Sequence, residues 1–256
     1  MSTAASSQPN EQEQPLNEFQ RLTNVFVAPS KTFLDLRNKA TWFVPFLLTS
    51  LFFAAFSFTI DKKIGFESIV RTRMEHAPEF AQQQLAKLSP EARAAQQKQQ
   101  VVFARASSLY FGWAILLISG LIVAGVLMAV FNFGMEAGVP FSNSLAIYFY
   151  ASLPGILRLV LGIIVLLTST NTDGFNIENP VATNLAAFMN QETAGKFVYS
   201  LAGSVDLFAL WTVALLGIGF AKGAEKKIST GAAITAVAVC YAVVALGKAA
   251  FAAAFS

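Results

Sequence analysis

Arg158 and Asp206 are the residues whose surroundings most invite chemistry. Each is the only formal charge in a long apolar stretch, 144–169 for the arginine and 197–221 for the aspartate. A charge at the centre of a membrane helix costs roughly 2.5–3.5 kcal/mol on insertion scales, so a chain that keeps one ordinarily gives it a partner or a task. Lys248, inside the apolar stretch 231–255, is a third such group and competes with Arg158 for the carboxylate. The preferred reading is an ion pair that fixes helix register. The sharper one is a charge lining a polar cavity or a proton path, and a cation that only extends to the interface is the remaining alternative.

Pro154-Gly155 lies just ahead of Arg158 in the same stretch. A proline inside a helix frees a carbonyl and bends the axis, and an arginine one turn later can donate to that carbonyl. Discontinuous helices also frame transporter binding sites, but a tolerated kink is commoner and is the expectation here. Soluble-enzyme chemistry has almost no material. Cys240 is the only cysteine and sits in an apolar run, while His76 is the only histidine and sits in a polar one. A Cys-His pair, an intrachain disulfide and a histidine-based metal site are therefore excluded. Phosphate-binding glycine patterns are missing from any strand-to-helix context. No catalytic, metal or cofactor-binding residue is assigned, and no cofactor is expected.

The elements that must position these charges are membrane helices. Hydrophobic residues make up 55% of the 256 and charged residues only 13%, well below the roughly 25% of soluble domains. The mean hydropathy of +0.54 agrees. Five runs reach the roughly 20 residues a span requires: 42–60, 108–134, 144–169, 197–221 and 231–255. The expected class is an all-α, polytopic integral membrane protein with five transmembrane helices. The net charge of +3 does not point to nucleic acid, because most basic residues flank apolar runs and suit anionic lipid head groups. The bilayer is the expected partner, with other membrane proteins or self-association as further ones, and no small-molecule substrate is identified.

Adjacent spans run antiparallel, so depth can be counted from one side. At 1.5 Å per residue Arg158 lies about 21 Å in, Asp206 about 22 Å and Lys248 about 26 Å. The depths of the first two match.

Outside the spans the chain divides by composition. Residues 1–15 are rich in Ser, Gln, Glu, Asn and Pro and are expected to be a disordered tail without a cleavable signal. In 16–41, Leu16, Phe19, Leu22, Val25 and Phe26 share a helical face, Pro29 interrupts it, and Ser30 can start a second short helix. An amphipathic segment lying in the interface is the preferred reading, against a helix packed on the protein's own bundle. The membrane domain then runs over 42–256. Within it, 61–107 carries eight Lys or Arg and five Asp or Glu, and reads as a polar helical hairpin. Ser89-Pro90-Glu91 supplies an N-cap, a first-turn proline and a dipole-favoured carboxylate for a helix that runs on toward the second span. Ala77-Pro78-Glu79 is a weaker start. The third loop has turn signals at Asp173-Gly174 and Asn179-Pro180 around an apolar stretch, 181–189, fit for a re-entrant or interfacial helix. Gly217, Gly219 and Gly223 allow the fourth span to approach a neighbour closely. With an inside N-terminus, basic residues number seven inside and nine outside, so charge alone leaves orientation open.

Certain residues fall into a recognisable order: Phe26, Pro29 and Phe33 before the first span, Ala151-Ser152-Leu153-Pro154 in the third, Asn179-Pro180 with Asn184-Leu185 in the third loop, and Asp206-Leu207-Phe208 followed by Trp211. In this pattern, from about Leu16 onward, the chain resembles bacterial members of the Yip1 family. The resemblance implies a five-span fold with an inside N-terminus in the bacterial inner membrane. Eukaryotic relatives are linked to vesicle trafficking and Rab-type small GTPases; bacteria lack that system, so no GTPase partner is carried over. The functional expectation is a non-catalytic, membrane-organising or protein-binding scaffold. The alternative is a small-solute or ion transporter or channel using Arg158 and Asp206.

Overall fold

The computed structural model describes residues 15–75, 77, 79–170, 175 and 179–254. The tail over 1–14 and the expectations placed on His76, Pro78, Asp173, Gly174 and Phe255 lie outside them. The described residues are helical throughout, apart from turns and one isolated β-bridge.

Two short helices come first, α1 (Glu18–Val27) and α2 (Pro29–Asn38). Asn17 and Gln20 close a capping box at the start of α1, each side chain accepting from the other's backbone N–H. Pro29 opens α2, where its fixed φ and missing N–H are tolerated. The first span, α3 (Phe43–Lys63), leads to α4 (Phe66–Glu75), α5 (Glu79–Ala86) and α6 (Pro90–Leu109). Ser89 caps α6 as expected, its Oγ accepting from Ala92 N at 3.2 Å. The helix does not run into the second span, α7 (Gly112–Met135), because the backbone turns at Tyr110-Phe111, where both N–H groups donate to Ala106 O. The rest of the membrane domain is α8 (Phe141–Ala151), α9 (Pro154–Thr168), a 3-10 turn (Leu185–Phe188), α10 (Gln191–Ala194), α11 (Lys196–Ser204), α12 (Leu207–Gly223) and α13 (Thr230–Ala254).

Four segments are long and apolar enough to cross a membrane: α3, α7, the joined α8 and α9, and α13; α12 is a shorter apolar helix. Five spans is thus the right order of the fold, but two of them are not continuous helices. The third breaks at Ser152-Leu153, and the fourth is divided into α11 and α12 at Val205-Asp206.

Contacts between loops assign the two faces of the bundle. On the near face, Glu225 N donates to Ala137 O at 2.8 Å, Lys226 Nζ meets Glu136 Oε2 at 2.6 Å, and Asn143 Nδ2 donates to the carbonyls of Leu36 and Arg37 at 3.2 Å each. On the far face, Arg105 pairs with Asp61 at 2.9 Å, and Phe66 and Ile69 of α4 pack on Phe56, Ile60 and Leu166. The main core gathers Phe33, Phe131, Ile147, Tyr150, Leu216 and Phe220, with Phe131 and Phe220 stacked at 4.4 Å.

The exposed Glu136 carboxyl is held below the usual carboxylate range, first by the hydrogen bond from Lys226 and then by its charge. Because the folded value lies below the unfolded one, this small stabilisation is present above the normal carboxylate range and is lost as pH falls through the folded value. Lys226→Ala should return Glu136 toward its ordinary titration, followed by NMR of its carboxyl carbon.

The segment 16–41 packs along one side on the bundle. Val25, Phe33 and Leu36 are buried in the main core, and Phe19, assigned to the apolar face, is 74% exposed. Arg21 takes the inner position instead, only 1% exposed. The helix is rotated because Glu18, Asp35 and Thr41 of the same segment supply Arg21 with acceptors.

Candidate functional site

Asp206 was placed by sequence in the middle of a helix, and the structure places it at a helix start. Val205 closes α11 as its C-cap, and Asp206, in extended backbone, is the N-cap of α12. Its Oδ1 accepts from Phe208 N at 3.0 Å and Ala209 N at 3.1 Å, which satisfies two of the four donors that a helix leaves bare. The partial positive charge of the same helix end favours the carboxylate. Oδ2 accepts from Thr183 Oγ1 at 2.5 Å. Asp206 is 5% exposed.

Thr183 arrives on the third loop, which turns back against the break. Leu185 N donates to Val205 O at 3.3 Å and Leu207 N to Thr183 O at 3.0 Å, the two bonds of the antiparallel bridge between Asn184 and Asp206. The stretch 181–189 forms this extended clasp and a 3-10 turn in place of a longer helix. Asn184 then works on both sides: its Oδ1 accepts from Ala187 N at 3.1 Å, and its Nδ2 donates to Asn179 Oδ1 at 2.7 Å. Pro180 stands against Gly162 of α9, where an added Cβ would lie 3.2 Å from the proline Cβ. The clasp explains why α12 can begin inside an apolar region. Every backbone group that the break frees at Thr183, Val205 and Leu207 finds a partner, as a low-dielectric medium requires.

A direct pair between Arg158 and Asp206 is not among the contacts of the described residues, nor is one between Asp206 and Lys248. The physical reason is the break: the oxygens of Asp206 are taken by the helix end and by Thr183. Tyr241 on α13 donates from its hydroxyl to Ser204 O at 2.5 Å and lies within electrostatic reach of both Arg158 and Asp206. Lys248 is exposed on α13, two turns beyond Tyr241.

The break at Pro154 has a similar local answer. Ser152 N and Oγ both donate to Tyr148 O, at 3.0 and 2.7 Å, and Leu153 N donates to Tyr150 O at 3.2 Å. Pro154 then opens α9 as a first-turn residue. The carbonyl that Pro154 frees, Tyr150 O, thus accepts from Leu153 N, and Gly155 has open space beside it.

A second polar cluster, which sequence reasoning missed, lies between the N-terminal helices and α8. Arg21 Nε donates to Asp35 Oδ2 at 2.6 Å, and its terminal nitrogen donates to Glu18 Oε1 at 3.0 Å and Thr41 Oγ1 at 2.5 Å. Thr41 Oγ1 donates to Glu18 Oε1 at 2.8 Å, and Tyr150 Oη closes the set on Glu18 Oε2 at 2.5 Å. Asp35 also accepts from Leu16 N at 3.1 Å. The available signal was Arg21 itself, a cation flanked by Leu22 and Val25 with a carboxylate one turn earlier at Glu18.

The pattern residues fall into two groups around these clusters. Phe26 packs edge-on against Trp211 at 5.7 Å, and Phe33 lies on Gly219, while Pro29 begins α2 between them. Asn179, Pro180, Asp206 and the buried Phe208 form the other group at the break. Asp206→Ala removes the cap and should cost about 0.5–2 kcal/mol from that term alone. Asp206→Asn keeps an acceptor and should cost less. Thermal unfolding in lipid nanodiscs orders the two. Within the described residues no group of histidine, cysteine and carboxylate side chains could hold a metal ion.

A family model described as Yip1 domain matches residues 23–247 of the chain. No curated protein and no solved structure is similar enough to match it.

Proposed function

We propose that this chain, which belongs to the Yip1 family, is a non-catalytic scaffold that organises the bacterial inner membrane or binds other proteins there. It is a multi-pass membrane protein whose apolar helices contact the bilayer. The observation that carries the proposal is the condition of Asp206. A transport carboxylate must be able to release its partners and meet solute or water. This one is divided between a helix end, a loop hydroxyl and nothing else among the described residues. Arg21, the most deeply buried cation, is likewise consumed by internal partners. In this reading Asp206 and Arg21 serve the architecture.

The surface for a protein partner is on the far face. Across its 20 residues α6 buries none, and its Val102 and Phe103 are exposed. A photocrosslinking side chain at Gln99, in native membranes, should give discrete protein adducts that persist in an Asp206→Asn background. If Gln99 gave lipid adducts alone, the protein-binding form of the proposal would fail.

One observation favours the transporter reading. The third and fourth spans are both discontinuous, and discontinuous helices in paired spans are a feature of transporter binding sites. Proteoliposomes loaded with a pH-sensitive dye separate the two. The scaffold proposal expects proton leak equal to that of protein-free vesicles, and an Asp206-dependent leak would reverse the order of preference.

A further inference from the structure

We propose that α1 and α2 form a re-entrant hairpin that dips from the near face into one leaflet, with its outer edge against the lipid of that leaflet. Three contacts at increasing depth carry this. The carbonyls of Leu36 and Arg37 are held by Asn143, in the first turn of α8. The Phe33 ring lies on Gly219, four residues or about 6 Å inward from the Gly223 end of α12. Phe26, next to the turn between the helices, meets Trp211, twelve residues or about 18 Å inward. A hairpin lying flat on the surface would meet α12 at one level. Half of a bilayer's hydrocarbon core is about 15 Å, so the turn reaches about the bilayer midplane, the inner limit of the near leaflet.

The chemistry of the hairpin fits that depth. In lipid each backbone group needs a partner. At the turn Ala28 N donates to Asn24 O at 2.7 Å and Lys31 N to Ala28 O at 2.9 Å, and Pro29 has no N–H to satisfy. The outer edge carries Phe19, Val27 and Leu34, exposed by 74%, 80% and 44%. The exposed charges are Lys31, Arg37 and Lys39, all cationic, whereas the acids Glu18 and Asp35 are bound to Arg21. Apolar side chains suit acyl chains, and long cationic ones reach phosphates at the leaflet surface. A second copy is disfavoured as the occupant, because a two-fold contact on this edge would bring the same cations together.

The test uses nitroxide labels at Val27→Cys, Leu34→Cys and Lys39→Cys, one at a time, with Cys240→Ala, in liposomes of phosphatidylglycerol and phosphatidylethanolamine. All three positions tolerate a label, since each side chain is exposed. Power saturation with oxygen and with a water-soluble nickel chelate reports depth. Oxygen should dominate at position 27, the balance should be intermediate at 34, and nickel should dominate at 39, with no change on dilution into excess lipid. Nickel access at 27 equal to that of a label at Gln99→Cys on α6 would overturn the proposal in favour of a water-facing hairpin. Spin-spin broadening at 27 that disappears on dilution would overturn it in favour of a second copy.

Discussion

Arg21→Met should lower the stability of the protein by about 3–5 kcal/mol, the cost of breaking a buried ion pair from one side. The cost arises from what remains. Asp35 keeps a charge that is largely out of water, its side chain 14% exposed, and loses the Nε donor at 2.6 Å. Glu18, at 38%, is more open and contributes less, because solvent screens it. Tyr150 and Thr41 would still donate to Glu18, so part of the set survives. The effect is distinguishable from lost packing by a second variant. Arg21→Met combined with Asp35→Leu removes both charges and fills similar space, and such replacements are often neutral. It should recover most of the loss in thermal unfolding. A double variant no better than Arg21→Met would assign the loss to shape instead of charge.

Gly217→Leu should disrupt the crossing of α12 and α13 by about 1–3 kcal/mol or more, as overpacking does. A Cβ on Gly217 would fall 2.5 Å from Ile234 Cα and 2.7 Å from Ile234 N. These are backbone atoms, so no rotamer change relieves the clash and the helices must separate. Gly231 in the first turn of α13 is the control, since nothing lies within 4 Å of a Cβ placed there. Gly231→Ala should leave unfolding unchanged or raise its midpoint, because alanine is the better helix former. The same contrast separates this close approach from a general intolerance of change in the membrane domain. A Gly217→Leu protein with unaltered unfolding would mean that the two helices are not in contact at Ile234.

These two positions also mark what the sequence could and could not reveal. Gly217, Gly219 and Gly223 read as close-approach residues, and each meets Ile234 or Ile147 as small residues in a membrane bundle should. The five apolar runs and the Ser89 cap were legible because length and local capping chemistry act over a few residues. The breaks were not. A run such as 197–221 has the same apolar composition whether it is one helix or two, and only the distant Thr183 and Asn184 make a break at Val205 affordable in lipid. Asp206 was therefore legible as a costly charge but not as the N-cap of a helix. Arg21 was hidden for the same reason, since Asp35 and Thr41 reach it only when α1 and α2 fold against each other. Phe19, expected on the apolar face, is turned outward as a result.

The central claim is that Asp206 is a closed structural joint and not a water-accessible working charge. Its most direct test is the reactivity of Thr183→Cys, a near-isostere beside the carboxylate, in a Cys240→Ala background, toward a membrane-impermeant thiol reagent applied from each side. The account predicts that this cysteine stays unmodified from both faces while Gln99→Cys on α6 reacts fully. Modification at position 183 as fast as at 99, from either side, would reveal a water path to Asp206 and contradict the account.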